Sequence, residues 1–498
     1  MPSSFRTGRT ALALAALLLA SCSRPATAPS PDIDPAAVTR ELRAIWVATV
    51  ANIDWPSRRD LTAQQQRAEL VDILDRAQDA GFNAVIMQVR PASDAVYRSD
   101  LEPWAALLTG QQGTDPGYDP LEFAVTEAHA RGLELHAWIN PFRAGNAPDT
   151  AVFASNHVWN AKRDLVRVYG AQVWLDPGES EARDHSLRVV SDIVRRYDVD
   201  GVHMDDYFYP YPVSNPAGGG SLPFPDDASY AASGSTLPRD DWRRANIDNF
   251  VERMYREAHE IKPSIKVGIS PFGIWRPGNP PSVQGFDAFA QIYADARKWL
   301  RSGWVDYFVP QLYWAISAPQ QSFPALLDWW LGENPMGRHV WPGLATYRAA
   351  GNSNGFTTGE IAEQVKLMRA RPVAQGHVMY NTTTTLKRDN GVLATITPLY
   401  RDRALSPAYP WLDATPPAPP TLSVSGKVVQ IAKDGETPRF WFVRAYTSGG
   451  MFGRAGWETH VIAGSATSLT LDSEASRVLV RAVDQAGHTS APAEYSRP

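Results

Sequence analysis

Cysteine is almost absent from the sequence: one residue of this type, Cys22, occurs in 498. A single cysteine excludes a disulfide-stabilised scaffold and zinc sites built from several cysteines. Positive charge is not in excess either, because 48 Lys and Arg residues stand against 53 Asp and Glu, for a formal net charge of −5. Since no long basic run occurs, the chain is not expected to bind nucleic acid.

Long hydrophobic runs are missing as well. The apolar run at residues 11–20 is about half as long as the roughly 20 residues of a transmembrane helix, and no other stretch is more suitable. Arg6 and Arg9 precede this run, and the small residue Ser21 follows it. This order of features predicts a secretory signal peptide over residues 1–21.

The sequence LASC (19–22) resembles a bacterial lipobox, and the only cysteine stands where that motif needs it. The resemblance implies cleavage before Cys22 and lipid attached to it. Because Ser23 rather than Asp follows, the sorting rule of Gram-negative lipoproteins implies the outer membrane, facing the periplasm. An ordinary signal peptide with a chance cysteine is the alternative. Residues 22–39, rich in Pro, Ala and Ser, predict a flexible tether.

The rest of the chain has the composition of a folded protein. Hydrophobic residues make up 44%, which excludes disorder of the whole chain. At roughly 100–200 residues per domain, the length predicts about two to four domains, or one large barrel with a smaller partner. Aromatic residues are abundant, with 17 Trp, 18 Tyr and 17 Phe. Their rings are common platforms for sugars, but they are also ordinary core residues.

The carboxy-terminal part has a different sequence pattern from the body. Residues 415–420 (TPPAPP) predict a stiff, extended linker. Residues 421–498 contain short alternating segments separated by Gly, Asp and Ser, which predicts a small antiparallel β-sandwich. The ending RVLVRAVDQAGHTSAPA resembles the last strands of fibronectin type III domains. We expect this domain to orient the body or to bind the cell wall or a protein, and the sequence does not identify a protein partner.

In the body, residues 40–414, short apolar strands alternate with helical stretches such as 64–81, 186–198 and 242–263. This alternation predicts parallel βα units, and eight strands favour an α/β fold of the (β/α)8 TIM barrel type. A doubly wound open sheet is the alternative, but the sequence lacks its glycine-rich phosphate turn. The predicted strands are 43–50, 83–91, 133–141, 200–206, 266–272, 305–314, 339–347 and 376–383.

The active site of such a barrel lies at the carboxyl ends of its strands. Amides, carboxylates, cations and aromatic residues converge on the predicted ends, a mixture suited to sugar hydroxyls and rings. The sequence suggests neither a metal site nor a redox or organic cofactor. The candidate substrate-binding residues are Asp54, Gln88, Arg90, Asp94, Trp138, Asn140, Arg143, His203, Tyr207, Trp275, Gln311, Tyr313 and Trp314.

The strongest local signal is DGVHMDDYFYP (200–210). Because strand side chains alternate, Val202 and Met204 should face the outer helices, while His203 and Asp205 point into the barrel mouth. Asp206 comes where the strand ends and can also turn inward. Two carboxyl groups so close should not both ionise, which suits the acid of a glycosidase and its partner. The alternative is that one Asp or neither is catalytic and the other caps the loop.

The body resembles the family 10-like glycosyl hydrolases of bacterial lipoproteins and secreted enzymes, in segments that cover nearly all of 40–410. Members of this group include an enzyme that cuts peptidoglycan strands stripped of their stem peptides. The resemblance implies a similar polysaccharide substrate here. The matching segments are ELRAIWVATVANIDWPS (41–57), FNAVIMQVRPASDAVYRSDLEPWA (82–105), GLELHAWINPFR (132–143), YDVDGVHMDDYFYPYP (197–212), VGISPFGIWR (267–276) and DYFVPQLYW (306–314).

Three mechanisms remain open. The segment at 203–205 resembles the strand of α-amylases that carries a nucleophilic Asp, but the Glu that those enzymes place at the fifth strand is absent. Adjacent Asp residues resemble hexosaminidases that use the acetamido group of the substrate, with Asp205 orienting that group and Asp206 as acid/base. We prefer this version because peptidoglycan sugars carry the group. Hydrolysis by two carboxylates, with Asp54 or Asp94 as the second, is the third.

The other candidates have structural alternatives. Trp138, Trp275, Tyr313 and Trp314 either stack on sugars or belong to the core at the barrel top. Arg90 and Arg143 either bind a substrate carboxylate, such as the lactyl group of N-acetylmuramate, or form ion pairs with Asp54 or Asp94. Gln311 and Asn140 are expected to bind hydroxyls, and His136 to be a core residue. Residues 213–241 either cover the groove or form a disordered insertion. A glycan-binding lipoprotein without activity and an amylase-like glucan hydrolase are the rival functions.

Overall fold

The computed structural model describes residues 37–353, 355–386, 390–447 and 456–497. Cys22, the predicted signal peptide (1–21) and all of the predicted tether except 37–39 lie outside the described residues. Within the described part, no helix is both long and apolar enough to cross a membrane.

Two kinds of strand occur, those of the body and those of the carboxy-terminal region. In chain order they are β1 (Leu42–Val47), β2 (Ala84–Arg90), β3 (Glu134–Ile139), β4 (Arg143–Asn146), β5 (Val166–Tyr169), β6 (Gln172–Leu175), β7 (Gly201–Met204), β8 (Lys266–Ile269), β9 (Tyr307–Phe308), β10 (His339–Val340), β11 (Gly343–Ala345), β12 (Gly376–Tyr380), β13 (Thr421–Ser425), β14 (Val428–Ala432), β15 (Phe440–Thr447), β16 (Gly456–Ala463), β17 (Ser468–Thr470), β18 (Ala475–Val483) and β19 (Ala493–Ser496).

Helices occupy the connections between the strands of the body. They are α1 (Ala63–Asp79), α2 (Ala106–Thr109), α3 (Pro120–Ala130), α4 (Val158–Ala161), α5 (Ser180–Arg196), α6 (Asp227–Ala232), α7 (Arg239–Ile261), α8 (Ala288–Gln291), α9 (Ala296–Ser302), α10 (Phe323–Gly332), α11 (Thr346–Ala350), α12 (Glu360–Arg369), α13 (Thr382–Leu386) and α14 (Val392–Ile396). Short 3-10 helices lie at Val50–Asn52, Ala147–Val152, Arg163–Leu165 and Thr397–Tyr400.

The body is a closed parallel barrel. Its strands are hydrogen-bonded in the order β10-β9-β8-β7-β3-β2-β1-β12-β11. β10 and β11 are two pieces of the seventh barrel strand, and Trp341 and Pro342 separate them. Trp341 donates to Phe308 O on one side, and Pro342 O accepts from Val378 N on the other, so the ring closes. The predicted (β/α)8 barrel is confirmed.

Aromatic and charged side chains fill the barrel interior, and two glycines make room for them. A Cβ at Gly268 would lie 2.1 Å from Tyr307 Cζ, and one at Gly201 would lie 2.4 Å from His136 Nδ1. Tyr307 OH is hydrogen-bonded to His136 Nδ1 at 2.8 Å and to His203 Nδ1 at 3.1 Å. His136 also contacts Glu134, at 3.1 Å. The expectation that His136 is a core residue is therefore confirmed.

The carboxy-terminal region is the predicted β-sandwich. Its two antiparallel sheets have the orders β13-β14-β17 and β16-β15-β18-β19. Trp441, Val443 and Val480 belong to the apolar core between the sheets.

The β-sandwich packs against the amino ends of the barrel strands, opposite the expected active site. Phe440, Phe442 and Val483 form an apolar cluster with Leu405 of the body. Arg439 forms ion pairs with Asp198 and Asp200, just before β7. The sandwich therefore contacts the base of the barrel.

Two insertions shape the barrel mouth. The predicted segment 213–241 is ordered rather than disordered: Phe224 packs on Tyr169 and Tyr209, and Asp226 pairs with Arg243. The sequence did not predict the second insertion, an antiparallel sheet in the order β4-β6-β5 that follows β3. This sheet begins at Arg143 and therefore positions one of the candidate residues.

Candidate active site

Asp205 and Asp206 lie directly after β7, at the carboxyl end of the fourth barrel strand. Val202 and Met204 belong to the large apolar core, as the alternation predicts, and Asp205 faces the barrel mouth. The two carboxyl side chains, called the carboxyl pair below, belong to residues that are 4% and 8% exposed. Burial at a strand end is the environment expected for catalytic carboxyl groups in a barrel.

Asp205 accepts hydrogen bonds from two side chains of the third barrel strand and its loop. Trp138 Nε1 lies 3.2 Å from Asp205 Oδ2, and Asn140 Nδ2 lies 2.9 Å from Asp205 Oδ1. The amide of Asn140 is oriented by backbone N–H groups of Phe142 and Arg143, which both donate to its Oδ1. Burial and the neighbouring Asp206 carboxyl raise the pKa of Asp205 to about 7.

Asp206 has different partners. Gln311 Nε2 donates to Asp206 Oδ1 at 3.0 Å and also to Ser270 O, which fixes its amide. The Tyr211 hydroxyl donates to Asp206 Oδ2. Burial raises the pKa of Asp206, and the hydrogen bonds from Tyr211 and Gln311 oppose the rise. Two neighbouring carboxyl groups whose pKa values are both raised disfavour each other's ionisation.

Arg143 supplies positive charge beside the carboxyl pair. Its Nε donates to Pro91 O at 2.9 Å, and its guanidinium carbon lies 5.4 Å from the centre of the Tyr207 ring. The charge of Arg143 lowers the pKa of both carboxyl groups, although burial outweighs it in each. Arg143 has no ion pair with a carboxylate in the described part of the chain, and its buried Nη2 atom has no hydrogen-bond partner there.

Tyrosines from three strand ends form one rim of the mouth. The rings of Tyr313 and Tyr380 stack with centroids 6.1 Å apart, and the exposed Tyr347 meets both edge-on. Burial, followed by Asp54, Tyr347 and the carboxyl pair, raises the pKa of Tyr380 to about 12. Nearby, the Trp314 ring packs edge-on against the Phe272 ring, with centroids 5.7 Å apart. Partly exposed rings next to carboxyl groups form a surface suited to sugar rings.

Three predicted binding residues do not reach the mouth, and the prediction is corrected for each. His203, Gln88 and Arg90 are all fully buried. His203 accepts a hydrogen bond from Trp46 Nε1 at 3.3 Å inside the barrel, where burial lowers its pKa well below the usual value. Gln88 Oε1 accepts from the backbone N–H groups of residues 49 and 50. Arg90 forms a buried ion pair with Glu102, rather than with Asp54 or Asp94.

Three other candidates lie apart from the carboxyl pair. Both oxygens of Asp54 accept backbone hydrogen bonds at 2.8 Å, from residues 48 and 383. Asp94 accepts from Ala92 N and Gln112, and burial raises its pKa to about 7. Trp275 stacks on Trp329 and donates to Asp295. These contacts are structural, and none of them links the three residues to Asp205 or Asp206.

The sequence interpretation missed Tyr211. It lies in the aromatic run that follows the carboxyl pair, YFYPYP (207–212), and this run is the sequence signal that could have identified it.

The structure does bring most of the other candidates together. They are Asp205, Asp206, Trp138, Asn140, Arg143, Tyr207, Gln311, Tyr313 and, at the edge, Trp314. In the described ranges, no group of three His, Cys, Asp or Glu residues is placed to hold a metal ion.

Comparisons with known proteins agree with this geometry. A family model described as glycosyl hydrolase-like 10 matches residues 41–355. Glycosyl hydrolase YngK from Bacillus subtilis (strain 168) is 39% identical over 398 residues, which cover 77% of this chain and 76% of that protein. Glycosyl hydrolase DigH from Escherichia coli (strain K12) is 33% identical over 406 residues, which cover 74% of this chain and 91% of that protein.

Proposed function

This chain belongs to the glycosyl hydrolase-like 10 family and is a glycoside hydrolase, and we propose that it cleaves peptidoglycan strands that lack stem peptides. The proposal that Asp205 and Asp206 carry out the reaction rests on one observation. Asp205 and Asp206 are adjacent, buried at a strand end of the barrel, and each has its own hydrogen-bond partners. Such a pair suits acid/base catalysis of glycosidic bond cleavage.

The partners of the two carboxyl groups differ in kind, which supports different roles. Trp138 and Asn140 present only N–H donors to Asp205, and such donors stabilise a charged carboxylate. Tyr211 presents a hydroxyl to Asp206, and a hydroxyl oxygen can also accept the proton of a neutral acid. The pKa of Asp205 is raised to about 7 and that of Asp206 is raised as well, so the assignment of roles rests on the hydrogen bonds rather than on the pKa shifts. The hydrogen bonds favour Asp206 as the proton carrier and Asp205 as the charged partner.

In the proposed reaction, the 2-acetamido group of the substrate is the nucleophile. Asp205 accepts a hydrogen bond from the acetamido N–H, and the acetamido oxygen forms a bond to the anomeric carbon. Asp206 gives its proton to the leaving oxygen as the glycosidic bond breaks. Asp206 then removes a proton from water, whose oxygen attacks the anomeric carbon and releases the acetamido group. Atoms and charges balance without a cofactor.

The positions of the other carboxyl groups favour this version over a classical two-carboxylate reaction. Asp54 is bound by the backbone N–H groups of residues 48 and 383, and Asp94 by Ala92 N and Gln112, away from the partners of the carboxyl pair. Among the described residues, neither Asp54 nor Asp94 forms a hydrogen bond with Asp205 or Asp206. The fifth barrel strand ends in Ser270, where an amylase-like enzyme has a Glu.

The location that the sequence predicts for the protein supports the choice of glycan. The lipobox-like sequence at Cys22 fits a lipoprotein of the outer membrane that faces the periplasm, and residues 23–39 fit a tether. Peptidoglycan is the abundant polysaccharide of that compartment. The groups at the barrel mouth, two carboxyls, amides and tyrosine rings, suit an uncharged or anionic sugar chain.

A digestion experiment tests the substrate. The purified protein is incubated with intact sacculi, amidase-stripped glycan strands, chitin oligosaccharides and starch, and new reducing ends are identified by mass spectrometry. We expect release from stripped strands and little from intact sacculi, as the proposed substrate requires. Release from starch alone would favour the amylase-like function, and no release from stripped strands would overturn the proposed substrate.

A further inference from the structure

The guanidinium of Arg143 lies beside the carboxyl pair and lowers the pKa of both groups, but it forms no ion pair with a carboxylate of the described residues. Among the described residues, its buried Nη2 atom has no hydrogen-bond partner. Its one side-chain hydrogen bond is the contact of Nε with Pro91 O. A buried N–H without a partner is costly, and a charged one more so, unless a ligand completes it.

The backbone around Arg143 holds it in this position. Asn140 Oδ1 accepts from Arg143 N at 2.7 Å, and Ser93 Oγ donates to Arg143 O at 3.0 Å. Asn140 also donates to Asp205, so one amide connects the cation to the carboxyl pair. The side chain is partly exposed and packs on the Tyr207 ring, which limits its freedom. A guanidinium fixed in this way is preorganised to bind a carboxylate.

We propose that Arg143 determines specificity by binding a carboxylate on the sugar chain next to the cleaved bond. This inference rests on the proposed function, in which the substrate contains N-acetylmuramate. The 3-O-lactyl group of that sugar is the carboxylate in question, and it lies next to the acetamido group on the sugar ring. Neutral glycans such as chitin lack it, so Arg143 discriminates between two polymers that share the acetamido group.

The test pairs a change in the substrate with a change in the protein. Stripped glycan strands are used as they are, or after their lactyl carboxylates have been coupled to methylamine, which leaves a neutral amide. For the unchanged protein we expect kcat/KM to fall roughly 10- to 100-fold on the neutral strands, the range for a hydrogen bond to a charged group. On charged strands, the kcat/KM of Arg143→Gln should be lower than that of the unchanged protein by the same factor. Neutralising the strands should not lower the kcat/KM of this variant further. Arg143→Lys should keep part of the preference.

Arg163→Gln is the matched control. Arg163 also lies over an aromatic ring in the same insertion, at 4.1 Å from the Trp159 centroid, but it is exposed and makes no contact with the carboxyl pair. This variant should keep the preference for charged strands. Circular dichroism and a thermal melt of each variant establish that it is folded.

Two results would overturn the inference while leaving the proposed function intact. In the first, the unchanged protein cleaves charged and neutral strands at equal rates. In the second, Arg143→Gln slows cleavage of both strands equally and shifts the pH profile, which would mean that Arg143 acts only on the ionisation of Asp205 and Asp206. If the unchanged protein cleaves neither strand, the proposed substrate itself fails.

Discussion

Asn140 donates a hydrogen bond of 2.9 Å to Asp205, and the backbone N–H of Arg143 holds its amide in that orientation. Asn140→Ala removes the donor that stabilises the charged form of Asp205. We expect kcat/KM on stripped strands to fall roughly 10- to 100-fold, since a hydrogen bond to a charged group is worth about 1.5–3 kcal/mol. The pH profile should move to higher pH because the pKa of Asp205 rises further. An unchanged profile would mean that Asn140 does not act on Asp205.

The raised pKa of Asp205 predicts that this residue contributes a loss of stability to the wild-type protein as the pH rises. Between the usual Asp pKa and about 7, the folded state keeps a proton that the unfolded state has released. Stability therefore falls across that interval and stays lower above it. Asp205→Asn removes this cost, so at pH 8 it should be more stable than wild type by up to about 4 kcal/mol, for a pKa raised from the usual Asp value to about 7 at 1.36 kcal/mol per pKa unit.

Urea unfolding at pH 4.5 and pH 8 measures this difference. The gain from Asp205→Asn should be small at pH 4.5, where the wild-type carboxyl group is neutral in the folded state. Asp72→Asn, an exposed residue on α1, is the control and should show no such dependence. A gain of equal size at both pH values would contradict the assigned direction of the pKa shift.

Gly268→Ala tests the packing of the barrel interior. The added methyl group would meet the Tyr307 ring at 2.1 Å, and Tyr307 is fully buried. We expect a loss of at least about 1–3 kcal/mol in the free energy of unfolding, the range for overpacked cores. Gly332→Ala at the end of α10, where nothing lies within 4 Å, is the control and should be neutral or slightly stabilising. Chemical denaturation of both variants measures the difference.

Arg439→Met tests the contact between the β-sandwich and the barrel. The substitution leaves the buried Asp200 without its guanidinium partner, although His129 still contacts it. Loss of one partner from a buried ion pair costs about 3–5 kcal/mol. Thermal unfolding should therefore begin at a clearly lower temperature. Arg497→Gln breaks an exposed pair with Glu474 and should change stability by less than about 1 kcal/mol. Equal effects would mean that the interface contributes little.

Much of the fold was predictable because strand and helix patterns are local. All eight barrel strands, the three longest helices (α1, α5 and α7) and the β-sandwich follow from the periodicity of apolar residues and from turn residues. The antiparallel sheet after β3, whose strands are four residues each, was not predicted. β4, with the sequence RAGN, has no apolar alternation that distinguishes it from a loop, whereas the equally short β7 and β8 carry an apolar residue at every second position.

The alternation of strand residues predicts which way a side chain points but not how deep it lies along the barrel axis, and this limited the prediction of the site. Alternation indicates correctly that His203 and Asp205 share the inward face, but only Asp205 is at the mouth, while His203 is enclosed by Trp46 and Tyr307. Arg90 was equally misplaced, because its partner Glu102 lies 12 residues further on, in a loop whose path the sequence does not reveal. Tyr211 was missed for the same reason: its approach to Asp206 depends on how the loop after β7 folds.

The central claim is that Asp205 and Asp206 carry out the hydrolysis. The most direct measurement is the rate of reducing-end release from amidase-stripped strands by Asp205→Asn and Asp206→Asn, with Asp54→Asn and Asp94→Asn as matched controls. We predict losses of about 100-fold or more for the first two, as expected when an acid/base group is removed, and small effects for the controls. Wild-type rates in either Asp205→Asn or Asp206→Asn, with activity abolished in Asp54→Asn or Asp94→Asn, would contradict the account.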